Sequence, residues 1–168
     1  MQLQLKPHKW SCLATSFAMA MEIPTSLFEQ TAGHDGSDII FPGLPDPYCR
    51  RGFHTSEATY VAMLLGFSAT SIDLFPRIAP TKGSYPEVSA YYGTLANEDQ
   101  NWAIFQGIIH NKRGVLEIRT RSGAGHAVAF EQGHIYDPDG AAFPYSREAC
   151  ETRGLYTLRL WRIEKLPV

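Results

Sequence analysis

Cysteine is scarce in this chain and poorly spaced for bridging. Cys12, Cys49 and Cys150 are odd in number and form no C-x-x-C pair, which excludes a full disulfide framework and the usual zinc spacings. Long apolar runs are missing: nothing approaches the roughly 20 residues a membrane-spanning helix needs. Met1-Gln2-Leu3-Gln4-Leu5-Lys6 runs into Pro7 without the apolar segment of a signal peptide. We therefore expect no membrane association and a cytoplasmic, reducing setting. An excess of one charge is also missing, with 15 Lys and Arg against 17 Asp and Glu for a net −2. The densest basic groups, Lys112-Arg113 and Arg119 with Arg121, are too small for the basic stripe a nucleic acid requires. Arg121-Ser122-Gly123-Ala124-Gly125 lacks the helix and lysine of a phosphate cradle. No repeat or low-complexity tract is present. Nothing calls for a cofactor or a metal, since Cys49 and His54, with His34 and Asp35, match no zinc pattern.

What is present is an ordinary globular balance, 44% apolar and 19% charged over 168 residues. That suits one domain over 1–168 with a sizeable core. Residues 3–6 alternate as a short strand stopped by Pro7. Ser11 is a good N-cap, and Leu13, Phe17, Ala20 and Met21 follow at helical spacing. A second short helix starts at Pro24-Thr25 and stops at Ala32-Gly33. Residues 34–51 read as one long loop, and its Ile39, Ile40, Phe41, Leu44 and Tyr48 predict an ordered loop that covers something. His54 or Thr55 caps a third helix, with Glu57 in its first turn and Gly66 at its end. Residues 67–75 have the alternating pattern of a strand. Residues 80–93 are irregular, with Tyr85, Tyr91 and Tyr92 as candidates for lining a cleft. Asn97-Glu98-Asp99 opens a helix with Trp102, Phe105, Ile108 and Ile109 in one stripe. Strands follow at 115–119, 126–131 and 134–137, then a short helix at 146–152 and a strand at 155–163. Helices first and mostly adjacent strands afterwards is an α+β order.

Three residues in this frame have the makings of a nucleophilic site. Cys12 falls at the first turn of the first helix, where unpaired N–H groups and the positive helix end favour a thiolate. His126 and Asp137 are related by register. If Gln132-Gly133 is a two-residue hairpin loop, Glu131 faces His134 and Val128 faces Asp137. His126 then shares Asp137's face diagonally, roughly 7–8 Å away at the backbone and within reach of an imidazole and a carboxylate. A three-residue loop would put the two on opposite faces. The carboxylate would fix the tautomer and leave the other ring nitrogen for the thiol. Each residue also has an ordinary reading: a packed cysteine, a strand histidine, and an Asp-Pro-Asp-Gly turn. His110 suits a helix C-terminus, His134 pairs with Glu131 on the hairpin's other face, and Cys150 packs a short late helix.

Trp10-Ser11-Cys12 opening a helix, then Gly125-His126-Ala127-Val128-Ala129-Phe130, then His134-Ile135-Tyr136-Asp137-Pro138, resembles the papain-like superfamily. It is most similar to the compact C39-like bacterial and phage peptidases, which lead with Cys, then His, then Asp. The resemblance implies a helical N-terminal half packed on a C-terminal antiparallel sheet. It implies Cys12 as nucleophile, His126 as base and acid, Asp137 as orienter, and a peptide or protein substrate cleaved through a thioester. That group usually carries an oxyanion-donating glutamine six residues before the cysteine, where this chain has Lys6. Gln4, Lys6 and His8 are therefore the candidate donors, beside the Cys12 backbone N–H. Three rivals stand beside this expectation: a related peptidoglycan amidase or acyl transferase, a non-enzymatic binding or effector protein on the same fold, and a small α+β domain whose three side chains lie apart.

Overall fold

A computed structural model describes residues 1–73, 98–120 and 122–167. Three helices come first: α1 (Cys12–Met21), α2 (Thr25–Ala32) and α3 (Thr55–Leu64). Strand β1 (Phe67–Asp73) follows, then α4 (Glu98–Asn111), β2 (Arg113–Thr120), β3 (Gly125–Glu131), β4 (His134–Asp137), β5 (Ala141–Pro144), α5 (Arg147–Arg153) and β6 (Leu155–Lys165). The irregular stretch expected at 80–93, with its tyrosines, lies outside the described residues, as do positions 74–75 and Asn97.

The strands form one antiparallel sheet in the order β1-β6-β2-β3-β4-β5. Side chains alternate across it. Val115, Ala127, Trp161 and Ile163 pack with Leu13, Phe17 and Ala18 of α1, Phe28 of α2 and Val61 of α3. Their neighbours Leu116, Val128 and Leu160 meet Phe105 and Ile109 of α4 and Cys150 of α5. A strand covered on both faces is apolar at every position, and Ala127, Val128, Ala129 and Phe130 are all buried. The architecture is the α+β arrangement expected, with α4 and α5 added on the far face. From Leu13 to Met21 every residue of α1 is buried, so the helix that starts at Cys12 is the fixed centre of the N-terminal half. Among the described residues no helix is long and apolar enough to cross a membrane.

The hairpin between β3 and β4 has the two-residue loop. Gln132 and Gly133 both take positive φ, 48° and 75°, as a type I′ turn demands. Glu131 is paired with His134 and Ala129 with Tyr136. Gly133 is needed twice over, because a Cβ there would also sit 2.8 Å from the His110 ring. Gly114 of β2 is required by space alone: a Cβ would lie 1.8 Å from the Trp161 carbonyl oxygen.

Two local expectations need correction. Residues 3–6 join no strand; the Lys6 N–H donates to the Pro138 carbonyl at 3.0 Å, a contact with a turn rather than a ladder. Ser11 occupies the N-cap position, but its hydroxyl makes no capping bond, being buried without a hydrogen-bond partner. The 34–51 loop is ordered by an isolated Ile39–Arg50 bridge, yet Ile39, Ile40, Phe41, Leu44 and Tyr48 are 45–56% exposed. They leave about half of their surface to solvent. Strand β5 was not expected at all.

Candidate active site

Cys12 begins α1 and is only partly buried, whereas Cys49 and Cys150 are buried, and none of the three is in a disulfide. The approach to it is a tight turn in which the Ser11 N–H donates to the His8 carbonyl at 3.1 Å. Trp10 fastens this turn to the long loop, its indole N–H donating to the Asp35 carbonyl at 2.9 Å. The Arg50 guanidinium lies 5.0 Å from the Trp10 ring centroid. Gly36 and Gly52 bond through their backbones at 3.0 Å; Gly36 also passes so close to Trp10 that a Cβ would lie 3.0 Å from the indole. The long loop is thereby anchored to the turn that leads into α1.

His126 lies near the start of β3, beyond the last β3–β4 rung at Ala129 and Tyr136. The strands are no longer bonded there, so the Asp137 side chain can turn to the ring. His126 Nε2 donates to Asp137 Oδ1 at 2.8 Å. The same oxygen accepts the Asp139 N–H at 2.9 Å, and Gly140 N–H closes the turn on the Asp137 carbonyl at 2.9 Å. Turn chemistry and histidine binding thus coexist in one aspartate. Burial acts against a charged His126, but its hydrogen bond to Asp137 and the hydrogen bond and charge of the nearby Cys12, with the charge of Asp137, outweigh it and push the imidazole up to about 9. Burial would raise the Asp137 carboxyl; the His126 hydrogen bond, the Asp139 N–H, and the charges of His126 and Lys6 hold it below its ordinary value. The structure therefore brings Cys12, His126 and Asp137 together from α1, β3 and β4.

No protein-family model and no curated protein matches this chain. Solved structures do. One is a double glycine motif protease from an AMS/PCAT transporter, in complex with the leader peptide. It superposes with a TM-score of 0.55 at 12% identity, covering 98% of this chain and 91% of that one. Another is the peptidase domain of Streptococcus ComA, a bi-functional ABC transporter involved in a quorum sensing pathway, with a TM-score of 0.50 at 11% identity over 99% and 98% of the two chains. The fold is the papain-like fold of C39-type peptidase domains.

Within that fold, the oxyanion candidates named from sequence each have partners of their own. Gln4 is committed elsewhere. Its amide donates to the Ile23 carbonyl at 2.7 Å, and its Oε1 accepts the N–H and hydroxyl of Thr25, both at 3.0 Å. Its N–H also meets Met19 Sδ at 3.2 Å, near the opposite end of α1, about 10 Å along the axis from Cys12. Gln4 caps α2; as an oxyanion donor it is set aside. The Lys6 ammonium is ion-paired with Asp139. His8 stacks on Trp10, ring centroids 4.9 Å apart, with Nε2 3.9 Å from Asp35 Oδ2.

Three other histidines have structural surroundings. His34 donates from Nε2 to Glu57 Oε1 at 2.7 Å and accepts the Gly36 N–H at Nδ1, while Arg51 holds the same Glu57 oxygen at 2.8 Å. His110 Nδ1 bonds the Gln106 carbonyl at 2.8 Å in the last turn of α4. His134 Nδ1 turns back to the Gln132 carbonyl, and Glu131 is taken by the Met1 amine and Arg113. Among the described residues, His126, Asp137 and Asp139 are the group whose donor atoms lie within 4.8 Å of one another. Lys6 and the imidazole proton already balance the charges of these carboxylates. Asp139 is the residue that sequence reasoning missed. Its signal is the second acid of Asp137-Pro138-Asp139, a pattern that by itself reads only as a turn.

Proposed function

We propose that this chain is a single-domain cysteine hydrolase of peptide or amide bonds, with Cys12 as nucleophile, His126 as general acid and base, and Asp137 as the group that orients the imidazole. The observation that carries the reading is the His126 Nε2–Asp137 Oδ1 hydrogen bond at 2.8 Å, with Cys12 near enough at the start of α1 to help raise the imidazole. With Nε2 engaged, Nδ1 is the nitrogen left for the thiol. An imidazole raised to about 9 is protonated at neutral pH, the partner a thiolate needs.

Cys12 Sγ attacks the carbonyl carbon, and the Cys12 main-chain N–H, unpaired at the helix start, faces the developing oxyanion. His126 gives its proton to the leaving nitrogen as the C–N bond breaks. Water then loses a proton to His126 and attacks the thioester, and the C–S bond breaks to return the thiolate. A peptide substrate is supported by the exposed Ile39, Phe41, Leu44 and Tyr48 on the loop tied to Trp10, and by the leader peptide bound in the similar transporter protease.

The test is the rate and pH dependence of iodoacetamide alkylation at each thiol, in wild type and His126→Ala. Cys12 should react far faster than Cys49 and Cys150 below pH 7, and His126→Ala should remove that advantage. A Cys12 no faster than an ordinary thiol, or indifferent to His126, sinks the reading. The second reading, a binding protein on this fold, is favoured by one observation. The Gln4 amide and the Lys6 ammonium each have other partners, and loss of one oxyanion donor costs on the order of 10²–10³ in rate.

A further inference from the structure

A second charged pair is attached to the candidate triad, and its role in catalysis rests on the hydrolase reading. One oxygen of Asp139 is ion-paired with the Lys6 ammonium, and the other lies 3.9 Å from His126 Nε2. The Lys6 main-chain N–H also holds the Pro138 carbonyl at 3.0 Å, so the N-terminal segment grips the turn at two points. The groups facing the ring are Cys12 from α1, Asp137 from β4, and Asp139 with Lys6 behind it. On the β2 side the paired residue is the uncharged Ile118.

The geometry points to Lys6 and Asp139 as opposed positioning residues of the acid–base group: Asp139 adds negative charge at His126, and Lys6 cancels most of it. The chemistry gives this a purpose. A general acid works best when it gives up its proton near the operating pH, and His126 already stands well above its ordinary value. A second uncompensated carboxylate at 3.9 Å would hold the proton tighter still. Lys6 lets an acidic side chain stand at position 139 without that penalty, while the main-chain N–H of the same residue separately orients Asp137. Asp139 is half-exposed, so its field is partly screened and the effects should be moderate.

The experiment is an NMR titration of the His126 ring nitrogens in the full chain, assigned by the signal lost in His126→Ala. Lys6→Met should raise the midpoint and Asp139→Asn should lower it. Each should change the imidazolium-to-imidazole ratio at a fixed pH by about threefold to tenfold. Lys6→Arg and Asp139→Glu, which keep the charges, should titrate close to wild type. If the pair merely holds the turn, both charge-removing substitutions loosen Asp137 and both midpoints fall, which overturns the inference; so does no movement in either. Should Lys6→Met fail to fold, Asp139→Asn against Asp139→Glu decides: a fall only in the former supports the charge role, and a fall in both or in neither overturns it. The titration needs no substrate and no reactive thiol. Ordinary alkylation of Cys12 would remove the hydrolase reading while the electrostatic result stood on its own.

Discussion

At His126 burial and its charged neighbours oppose each other, and the neighbours win. The side chain is 8% exposed, which disfavours charge, yet the ring sits between a carboxylate and a thiol that favour it. Asp137→Asn separates the two, because the amide keeps the size of the side chain and removes its charge. The imidazole midpoint should fall from about 9 toward its ordinary value. The Cys12 alkylation advantage below pH 7 should largely vanish, and hydrolysis of any substrate found should drop by on the order of 10³–10⁴. A variant whose thiol stays fast at pH 6 would show that Asp137 does not support the pair. Gln4 gives the complementary case. Gln4→Ala should lower unfolding free energy by about 1–3 kcal/mol, since three bonds around the α2 start are lost. The relative alkylation rate of Cys12 should not change. Slowed alkylation with intact stability would return Gln4 to the site.

Elements carried their information unequally. The hairpin register was legible because Gln132-Gly133 separates two apolar runs by two residues, and a side-chain period of two allows only one face for His126 and Asp137 together. Helix α1 was legible from its spacing, but its cap was not. Ser11 reads as a capping residue because capping is a local rule, and its burial against the rest of the chain is not local. Strand β5 escaped because Ala-Ala-Phe-Pro is short and ends in proline, which only an edge strand tolerates. The role of Gln4 and the Lys6–Asp139 pair join residues far apart in sequence, and no periodicity reports such contacts. Where space decides, the prediction is sharp. Gly114→Ala puts a methyl group 1.8 Å from the Trp161 carbonyl oxygen and 2.9 Å from the Phe130 ring, forcing β2 and β6 apart. Denaturant unfolding should show a loss of about 3 kcal/mol or more, and a loss under about 0.5 kcal/mol would mean the strands yield without cost.

For the whole molecule, pH should cut stability from both sides. His126 is raised in the folded state, so its contribution is complete below its unfolded value near 6.5 and disappears as pH rises through about 9. Asp137, Glu57 and Glu22 are lowered, so theirs are present above the ordinary carboxylate range and disappear as pH falls below it. Stability should therefore be highest at about pH 5–6.5, with the alkaline loss on the order of a few kcal/mol. Thermal melts across pH check this, and His126→Ala should flatten the alkaline side and, by removing the main partner of Asp137, weaken the acid-side dependence as well.

The place of β6 has a consequence for how this molecule comes into being. The strand latest in the sequence lies between β1 and β2, joining the edge strand on which α3 packs to the strands that carry His126 and Asp137. During synthesis the earlier strands must wait with unpaired edges until β6 emerges, and pairing between such distant segments is slow. A nascent chain would thus carry its thiol in an unfinished sheet, and full reactivity at Cys12 would become a report that the last strand has found its slot.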